Sequence, residues 1–149
     1  MIVDASVAFK WLVREEATDA ALDLLDRGDL MAPHLILSKI GNALWKKARR
    51  EQFDPAVSLA EDLARLPDYV ILVAETPFMG RALEMAYQLA HPIYDCVYLA
   101  AAEYFDVRLV TADQRFLHKL EATSLGAAGL PRKPAARRLA GNAQPLGRR

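Results

Sequence analysis

Three aspartates stand where apolar stretches of the chain give way to a turn or a helix start. Asp4 lies in "IVDAS", Asp95 in "IYDCVYLA" and Asp113 in "LVTADQRF". An open α/β sheet collects side chains from the carboxyl ends of its strands into one crevice, so these acids can converge there. Clustered carboxylates favour Mg²⁺ or Mn²⁺, and an ion held this way can activate water against a phosphodiester. The pattern predicts a metal-dependent nuclease with these three aspartates as metal ligands.

Each acid also has a simpler interpretation. Asp95 and Asp113 are placed where an aspartate would cap a helix, which for either residue alone is the favoured explanation. Asp4 is harder to explain in this way, because an unpaired carboxylate is costly to bury beside an apolar strand. Ser6 and Thr111 add hydroxyls next to two of the acids and could position a metal-bound water, although capping and turn roles are open to both.

The elements that must position these residues alternate between strand-like and helix-like stretches. This alternation predicts a three-layer α/β fold with a mainly parallel central sheet flanked by helices. Strands are predicted over residues 2–3, 30–32, 69–74 and 108–111. Helices are predicted over residues 7–13, 17–25, 33–50, 54–66, 76–89, 96–105 and 114–120. Ser6 is expected to cap the first helix, and Gly28 to end the second. Asp54-Pro55 and Thr76-Pro77 are the start signals of the fourth and fifth helices.

Size and composition predict one compact domain with a tail. The 149 residues are 53% hydrophobic, which is enough for a sizeable core. We place the domain at residues 1–123 and a basic, mobile tail rich in Ala, Gly, Pro and Arg at 124–149. With Cys96 as the single cysteine, no disulfide can form within the chain. No apolar run approaches the length of a membrane span, so we expect a cytoplasmic protein that does not contact a membrane.

A net charge of zero conceals an asymmetry along the chain. All 19 acids lie at or before Glu121, whereas six of the 19 bases lie beyond it. The body therefore carries 13 bases against 19 acids, a net charge of −6. An acidic body binds nucleic acid poorly without a metal ion or a local basic strip, and the tail could supply that attraction.

Four segments together resemble the PIN-domain family, and more narrowly the VapC toxins of toxin-antitoxin pairs. They are "IVDASV", "LSKIGNALWK", "YDCVYLAAA" and "LVTADQRF", which follow the family's order and spacing over about residues 1 to 121. The resemblance implies an endoribonuclease that depends on Mg²⁺ or Mn²⁺. It also implies a VapB-like antitoxin that holds the enzyme inactive, and a homodimer or a toxin-antitoxin hetero-oligomer.

Matched position by position, the family's first, third and fourth acids are Asp4, Asp95 and Asp113. Asn42 matches the asparagine that follows the second acid, but the second acid itself is replaced by Lys39. Lys39 and Asn42 are three residues apart and share a helix face, so the ammonium should point into the carboxylate cluster. The histidines His34, His91 and His118 show no mutual spacing suited to metal binding or catalysis, and we assign them no role.

The lysine leaves two outcomes open for the active site. Either one ion held by Asp4 and Asp113, with Asp95 acting through water, sustains reduced cleavage, or Lys39 takes the place of the cation and the site is dead. In the second case the chain is an inactive PIN-like module that binds antitoxin or RNA. A phosphotransfer enzyme with an aspartate phospho-acceptor is a further alternative, which is disfavoured because no lysine follows a late apolar strand.

Overall fold

The described part of the chain contains a four-stranded, fully parallel sheet. The structure is a computed structural model, and it describes residues 1–51 and 57–123. The strands are β1 (Ile2–Val3), β2 (Met31–Pro33), β3 (Ile71–Val73) and β4 (Leu109–Val110), in the order β3-β2-β1-β4. Ile2 pairs with both Met31 and Leu109, so β1 is central. Residues that follow β1 and β4 therefore emerge at the same edge of the sheet.

Helices follow the strands and flank the sheet, which confirms the predicted α/β architecture. They are α1 (Ala5–Leu12), α2 (Thr18–Leu22), α3 (Leu35–Glu51), α4 (Val57–Ala64), α5 (Met79–Leu89), α6 (Ile93–Tyr104) and α7 (Gln114–Glu121). Helix α3 buries one stripe, consisting of Ile36, Ile40, Leu44 and Ala48, and leaves its other faces to solvent or to the site.

Helix α6 is buried over most of its surface, as its nearly continuous apolar sequence predicts. The seven residues from Cys96 to Ala102 are all buried. Tyr98 is the largest side chain that is fully enclosed. A helix enclosed to this degree has little freedom to shift, so it gives the residues of its first turn a fixed position.

Several predicted boundaries differ from those in the structure. The segment predicted as one helix over residues 17–25 forms α2 and a separate 3₁₀ turn, Leu25–Arg27, which ends at Gly28 with φ 69°. The Thr76-Pro77 signal starts a 3₁₀ turn, Thr76–Phe78, before α5 begins. The start signal Asp54-Pro55 lies outside the described residues.

The third strand, at an edge of the sheet, is shorter than predicted because the amides of Tyr69 and Val70 donate to the Leu66 carbonyl of the preceding turn. Only Ile71–Val73 pairs with a neighbour, and Ile71 is 59% exposed. A strand of which just one side is buried can have the same apolar sequence as a central strand, so the sequence does not distinguish the two.

Among the described residues, no helix has the length and apolarity that crossing a membrane would require. The predicted tail at 124–149 lies outside the described residues, so the domain boundary at residue 123 stays a prediction.

Candidate metal centre

The two central strands bring Asp4 and Asp113 to one edge of the sheet. Asp4 directly follows β1, and its amide donates a hydrogen bond of 2.9 Å to the Val110 carbonyl of β4. Asp113 begins α7 three residues after β4, whereas Asp95 lies in the first turn of α6. All three carboxylates and Lys39 line one cavity of about 450 Å³. Acids that are far apart in sequence therefore do share one crevice.

Asp4 is a buried carboxylate that is held mainly through one oxygen. Its exposed fraction is 3%. Oδ2 accepts hydrogen bonds from Ser6 Oγ at 2.7 Å and from Thr111 Oγ1 at 2.8 Å. Oδ1 has no hydrogen-bond partner within the described residues, although the ammonium of Lys39 lies 3.5 Å away. Because an isolated charge would be expensive to bury, this oxygen requires a cation.

Ser6 does not cap α1, which corrects the expectation from the sequence. The N-cap position belongs to Asp4, which has extended backbone angles but makes no side-chain cap bond. Ser6 lies inside the helix, where its hydroxyl donates to Asp4 and accepts the Ala112 amide at 2.9 Å. The hydroxyl thus links the start of α1 to the segment after β4.

Asp113 caps α7, as the simpler interpretation of this residue predicts. Its Oδ1 accepts the amides of Arg115 and Phe116 at 2.9 and 3.0 Å. Asp95 does not cap α6, because that N-cap is Pro92 and the carboxylate is directed into the cavity. The capping explanation therefore holds for Asp113 and is wrong for Asp95.

Lys39 links two of the carboxylates. This position was expected, because Lys39 stands where the family has its second acid. Its Nζ lies 2.5 Å from Asp95 Oδ1 and 3.5 Å from Asp4 Oδ1. The same ammonium lies 4.9 Å from the centroid of the Tyr98 ring, close enough for a cation–π contact. Lys39 thus occupies the side of the cluster where a cation is needed. Asn42, one turn further along α3, is exposed and is not among the residues that line the cavity.

His91 lies at the site, although we assigned it no role from the sequence. Its Nε2 is 2.8 Å from Asp95 Oδ2, and its ring stacks on Phe116 with centroids 4.8 Å apart. The signal that could have revealed it was the spacing of four residues between His91 and Asp95. That spacing is a weak signal, because Pro92 interrupts the helical pattern between the two residues.

Burial and negative charge make the neighbouring Cys96 and Tyr98 unsuitable as nucleophiles. Burial, with a further contribution from the charge of Asp95, raises the pKa of the Cys96 thiol to about 11. Burial also raises the pKa of Tyr98, and the charges of Asp4 and Asp95 raise it further. Both groups are protonated at neutral pH, so the reactive chemistry of the cavity rests on its carboxylates.

Two carboxylates that line the cavity, together with His91 beside it, form a donor set of the kind that holds a divalent ion. His91, Asp95 and Asp113 each offer a ligand atom, and these atoms lie within 4.8 Å of one another. That bound exceeds the roughly 4.2 Å that separates opposite ligands of an ion bound at about 2.1 Å, so a bound ion would draw the side chains slightly together. The orphaned Oδ1 of Asp4, by contrast, already faces the Lys39 ammonium.

Comparison with known proteins identifies the family. Residues 1–120 match the PIN domain. Ribonuclease VapC1 of Mycobacterium tuberculosis is 32% identical over 118 residues, covering 76% of this chain and 86% of that protein. Exonuclease VapC9 of Pyrobaculum aerophilum is 33% identical over 93 residues, covering 62% of this chain and 68% of that protein.

A solved structure is also similar to this chain in its fold. The crystal structure of PAE2754 from Pyrobaculum aerophilum superposes with a TM-score of 0.64 at 27% identity, covering 79% of this chain and 77% of that one. The parallel sheet, the acidic cavity at its carboxyl edge and the match over residues 1–120 all lead to the same assignment. This chain belongs to the PIN-domain family.

Proposed function

We propose that this protein is a ribonuclease toxin of the VapC type, which hydrolyses RNA phosphodiesters with the help of a divalent ion. The supporting observation is that Asp4, Asp95 and Asp113, from three separate elements, line one cavity at the carboxyl edge of the sheet. The name of ribonuclease VapC1 supports RNA hydrolysis, and that of exonuclease VapC9 supports nuclease activity; together they do not fix whether cuts are internal. We favour internal cleavage, the mode that the motifs imply.

The residues of the cavity have different proposed roles. Asp4, Asp95 and Asp113 would hold the ion, and Ser6 and Thr111 fix the carboxylate of Asp4 against the cavity wall. When bound, an Mg²⁺ or Mn²⁺ ion supplies an activated water and neutralises charge that develops on the phosphate. Asn42 is the cavity's neighbour on α3, where its amide can contact an incoming strand of RNA.

Lys39 lowers this activity by weakening the binding of the ion, although the three aspartates remain in place. Unit charges about 4 Å apart interact by about 4 kcal/mol at an effective dielectric of about 20. Replacing the ammonium by a carboxylate changes the charge that faces a bound ion by two units. We therefore expect Lys39→Glu to strengthen Mg²⁺ binding by at least about tenfold, and to raise the rate of RNA cleavage.

The test compares RNA cleavage by four proteins with Mn²⁺ and with excess chelator. The proteins are the wild type, Lys39→Glu, Lys39→Gln and Asp113→Asn. Asparagine caps a helix as well as aspartate does, so Asp113→Asn removes a charged metal ligand while keeping the start of α7. Lys39→Gln removes the positive charge without adding a negative one, and should fall between the wild type and Lys39→Glu.

Three results would decide the matter. Cleavage that needs Mn²⁺, falls at least about a hundredfold in Asp113→Asn and rises in Lys39→Glu would support the proposal. Cleavage that persists in chelator would contradict the metal dependence. Equal Mg²⁺ affinities of the wild type and Lys39→Glu, measured by calorimetry, would contradict the role given to Lys39.

The contact of Lys39 with two of the acids favours a second candidate function. An ammonium 2.5 Å from Asp95 and 3.5 Å from Asp4 could serve as a permanent internal cation. The chain would then be a catalytically inactive module that binds antitoxin or RNA. A wild type that cuts no RNA with any divalent ion, but binds RNA or a VapB-like antitoxin, would establish this alternative.

The partners and the location follow from the same relationship. We propose a VapB-like antitoxin that neutralises the enzyme, and a homodimer or a toxin-antitoxin hetero-oligomer as the form in solution. The single cysteine, Cys96, is buried, as suits a chain that works in the reducing cytoplasm where RNA is found. Co-expression with the candidate antitoxin, followed by light scattering of the purified complex, measures both partnership and stoichiometry.

A further inference from the structure

We propose that His91 is a direct ligand of the ion at this site, beside Asp95 and Asp113, and that its imidazole favours Zn²⁺, Co²⁺ or Ni²⁺ over Mg²⁺. This inference rests on the proposed function, and it names the metal class and a ligand outside the acidic set. The cluster consists of one ligand atom from each residue, all within 4.8 Å of one another.

The His91 ring is held in a fixed position against the cluster. Its side chain is 8% exposed, and the ring stacks on Phe116 of α7 at 4.8 Å between centroids. Its Nε2 lies 2.8 Å from Asp95 Oδ2, so the nitrogen is directed at a carboxylate rather than at solvent. The other end of the cluster is fixed as well, because Asp113 Oδ1 accepts two amides of α7. Among the described residues, none donates a hydrogen bond to Asp113 Oδ2, which leaves that oxygen available for an ion.

Lys39 determines which side of Asp95 can accept the ion. The ammonium engages Oδ1 of Asp95 and faces Oδ1 of Asp4. An ion bound between those two oxygens would lie beside a positive charge and would be repelled. The opposite oxygen of Asp95 lies 2.8 Å from His91 Nε2 and further from the ammonium than Oδ1 does. The lysine therefore shifts the favourable position from Asp4 toward His91.

The change of position also changes the chemistry of the donors. Mg²⁺ prefers carboxylates, carbonyls and water, and a neutral imidazole is a poor ligand for it. Imidazole suits Zn²⁺, Co²⁺ and Ni²⁺, and affinity for a mixed nitrogen and oxygen site rises from Mn²⁺ through Co²⁺. Three protein ligands with the remaining positions left to water is the usual pattern of a catalytic site of this kind.

The competing explanation is that His91 only orients Asp95. In that case the imidazole donates a hydrogen bond to the carboxylate and never contacts an ion, as the outer-shell partners of metal ligands do. A glutamine at this position could still donate such a hydrogen bond, whereas a phenylalanine could only preserve the stacking on Phe116. The two substitutions therefore separate the two roles.

The experiment follows Co²⁺ binding to the full-length protein by visible absorption, and Mn²⁺ and Mg²⁺ binding by calorimetry. The variants are His91→Phe, His91→Gln and, as a matched control, His118→Phe, since His118 is an exposed histidine on α7. We expect His91→Phe and His91→Gln each to weaken Co²⁺ binding by at least about tenfold and to alter its absorption bands. Mg²⁺ affinity should change by less than about threefold in every variant, because nitrogen contributes little to it.

Two outcomes would overturn the inference. An unchanged Co²⁺ spectrum in folded His91→Phe, with folding checked by circular dichroism, would show that the nitrogen is not a ligand. Recovery of wild-type Co²⁺ affinity in His91→Gln would assign His91 to orienting Asp95. RNA cleavage measured on the same samples separates this inference from the proposed function. A Co²⁺ spectrum that depends on His91 without any cleavage would keep the metal site and refute the ribonuclease.

Discussion

At the scale of single residues, Thr111 holds the site's buried acid in place. Its hydroxyl donates to Asp4 Oδ2 at 2.8 Å and accepts the Asp113 amide at 3.1 Å. The hydroxyl therefore joins the carboxylate of Asp4 to the backbone at Asp113. The hydroxyl is 3.2 Å from Ser6 Oγ as well, so the three side chains form one hydrogen-bonded group.

Thr111→Val should destabilise the fold, because valine has the shape of threonine but leaves the charge of Asp4 less well satisfied. A lost hydrogen bond to a buried charged group costs about 1–3 kcal/mol. Urea denaturation measures this loss as a lower free energy of unfolding. Thr123→Val is the control, since Thr123 donates only to the Leu120 carbonyl at 3.2 Å and should lose less than about 0.5 kcal/mol. Equal losses in the two variants would contradict the role of Thr111.

The residue scale also shows what the sequence could predict. Asp4 and Lys39 were identifiable because each conflicts with its surroundings, one as an acid after a buried strand and the other as a base where an acid is expected. His91 left only a weak signal, its spacing of four residues from Asp95. The linking role of Ser6 was not identifiable, because it depends on a contact between distant elements. Ser6 meets Ala112 across 106 positions, and no local pattern records such a contact.

At the scale of elements, the turn between α5 and α6 sets the position of His91. Ala90 ends α5 with φ 45°, a left-handed conformation that favours glycine. The Lys119 ammonium of α7 donates a hydrogen bond to the Ala90 carbonyl. The His91 amide donates to the Ala86 carbonyl at 3.1 Å, which closes the turn. The backbone before the candidate ligand is thus fixed from two sides.

Ala90→Gly should stabilise the protein by about 0.5–1 kcal/mol, because it relieves the left-handed strain at a partial cost in chain entropy. Thermal unfolding in chelator gives the change. Ala60→Gly, at an exposed position inside α4, is the opposite control and should destabilise by about 1 kcal/mol. A loss of stability in Ala90→Gly would show that the strain is not relieved by glycine.

Element types were predictable where periodicity is strong, and boundaries were less so. The period of α3 and the continuous apolar run of α6 were sufficient to identify both helices. The split of the second predicted helix was missed, because Asp23 and Leu24 keep right-handed helical angles and only the hydrogen bonding changes there. The Leu24 amide donates to Ala21, three residues back, and apolar spacing does not encode such a change. The short strands were placed within one or two residues, which is the usual uncertainty of such boundaries.

At the scale of the whole molecule, charge is divided between an acidic body and a basic segment after Glu121. Six bases and no acids follow that residue. Because released counterions drive the binding of polyphosphates, these bases should contribute to RNA affinity in a salt-dependent way.

A chain that ends at Thr123 should keep its fold and bind single-stranded RNA with a shallower salt dependence. Its melting temperature should remain within about 2 °C, since no residue of the described core is removed. Filter binding at several salt concentrations measures the slope. A full-length variant with glutamine at the six basic positions is the matched control and should behave like the truncated chain. An unchanged slope in both would exclude a role for these bases.

The position of Lys39 also has a genetic consequence. Lysine and glutamate codons differ only in their first base, so a single nucleotide transition would convert the ammonium that bridges Asp4 and Asp95 into a fourth carboxylate. Because the proposed function makes that carboxylate a further ligand of the ion, a gene encoding this chain is one point mutation away from a more active ribonuclease. Cultures that express the gene without an antitoxin should lose the cells in which this mutation occurs.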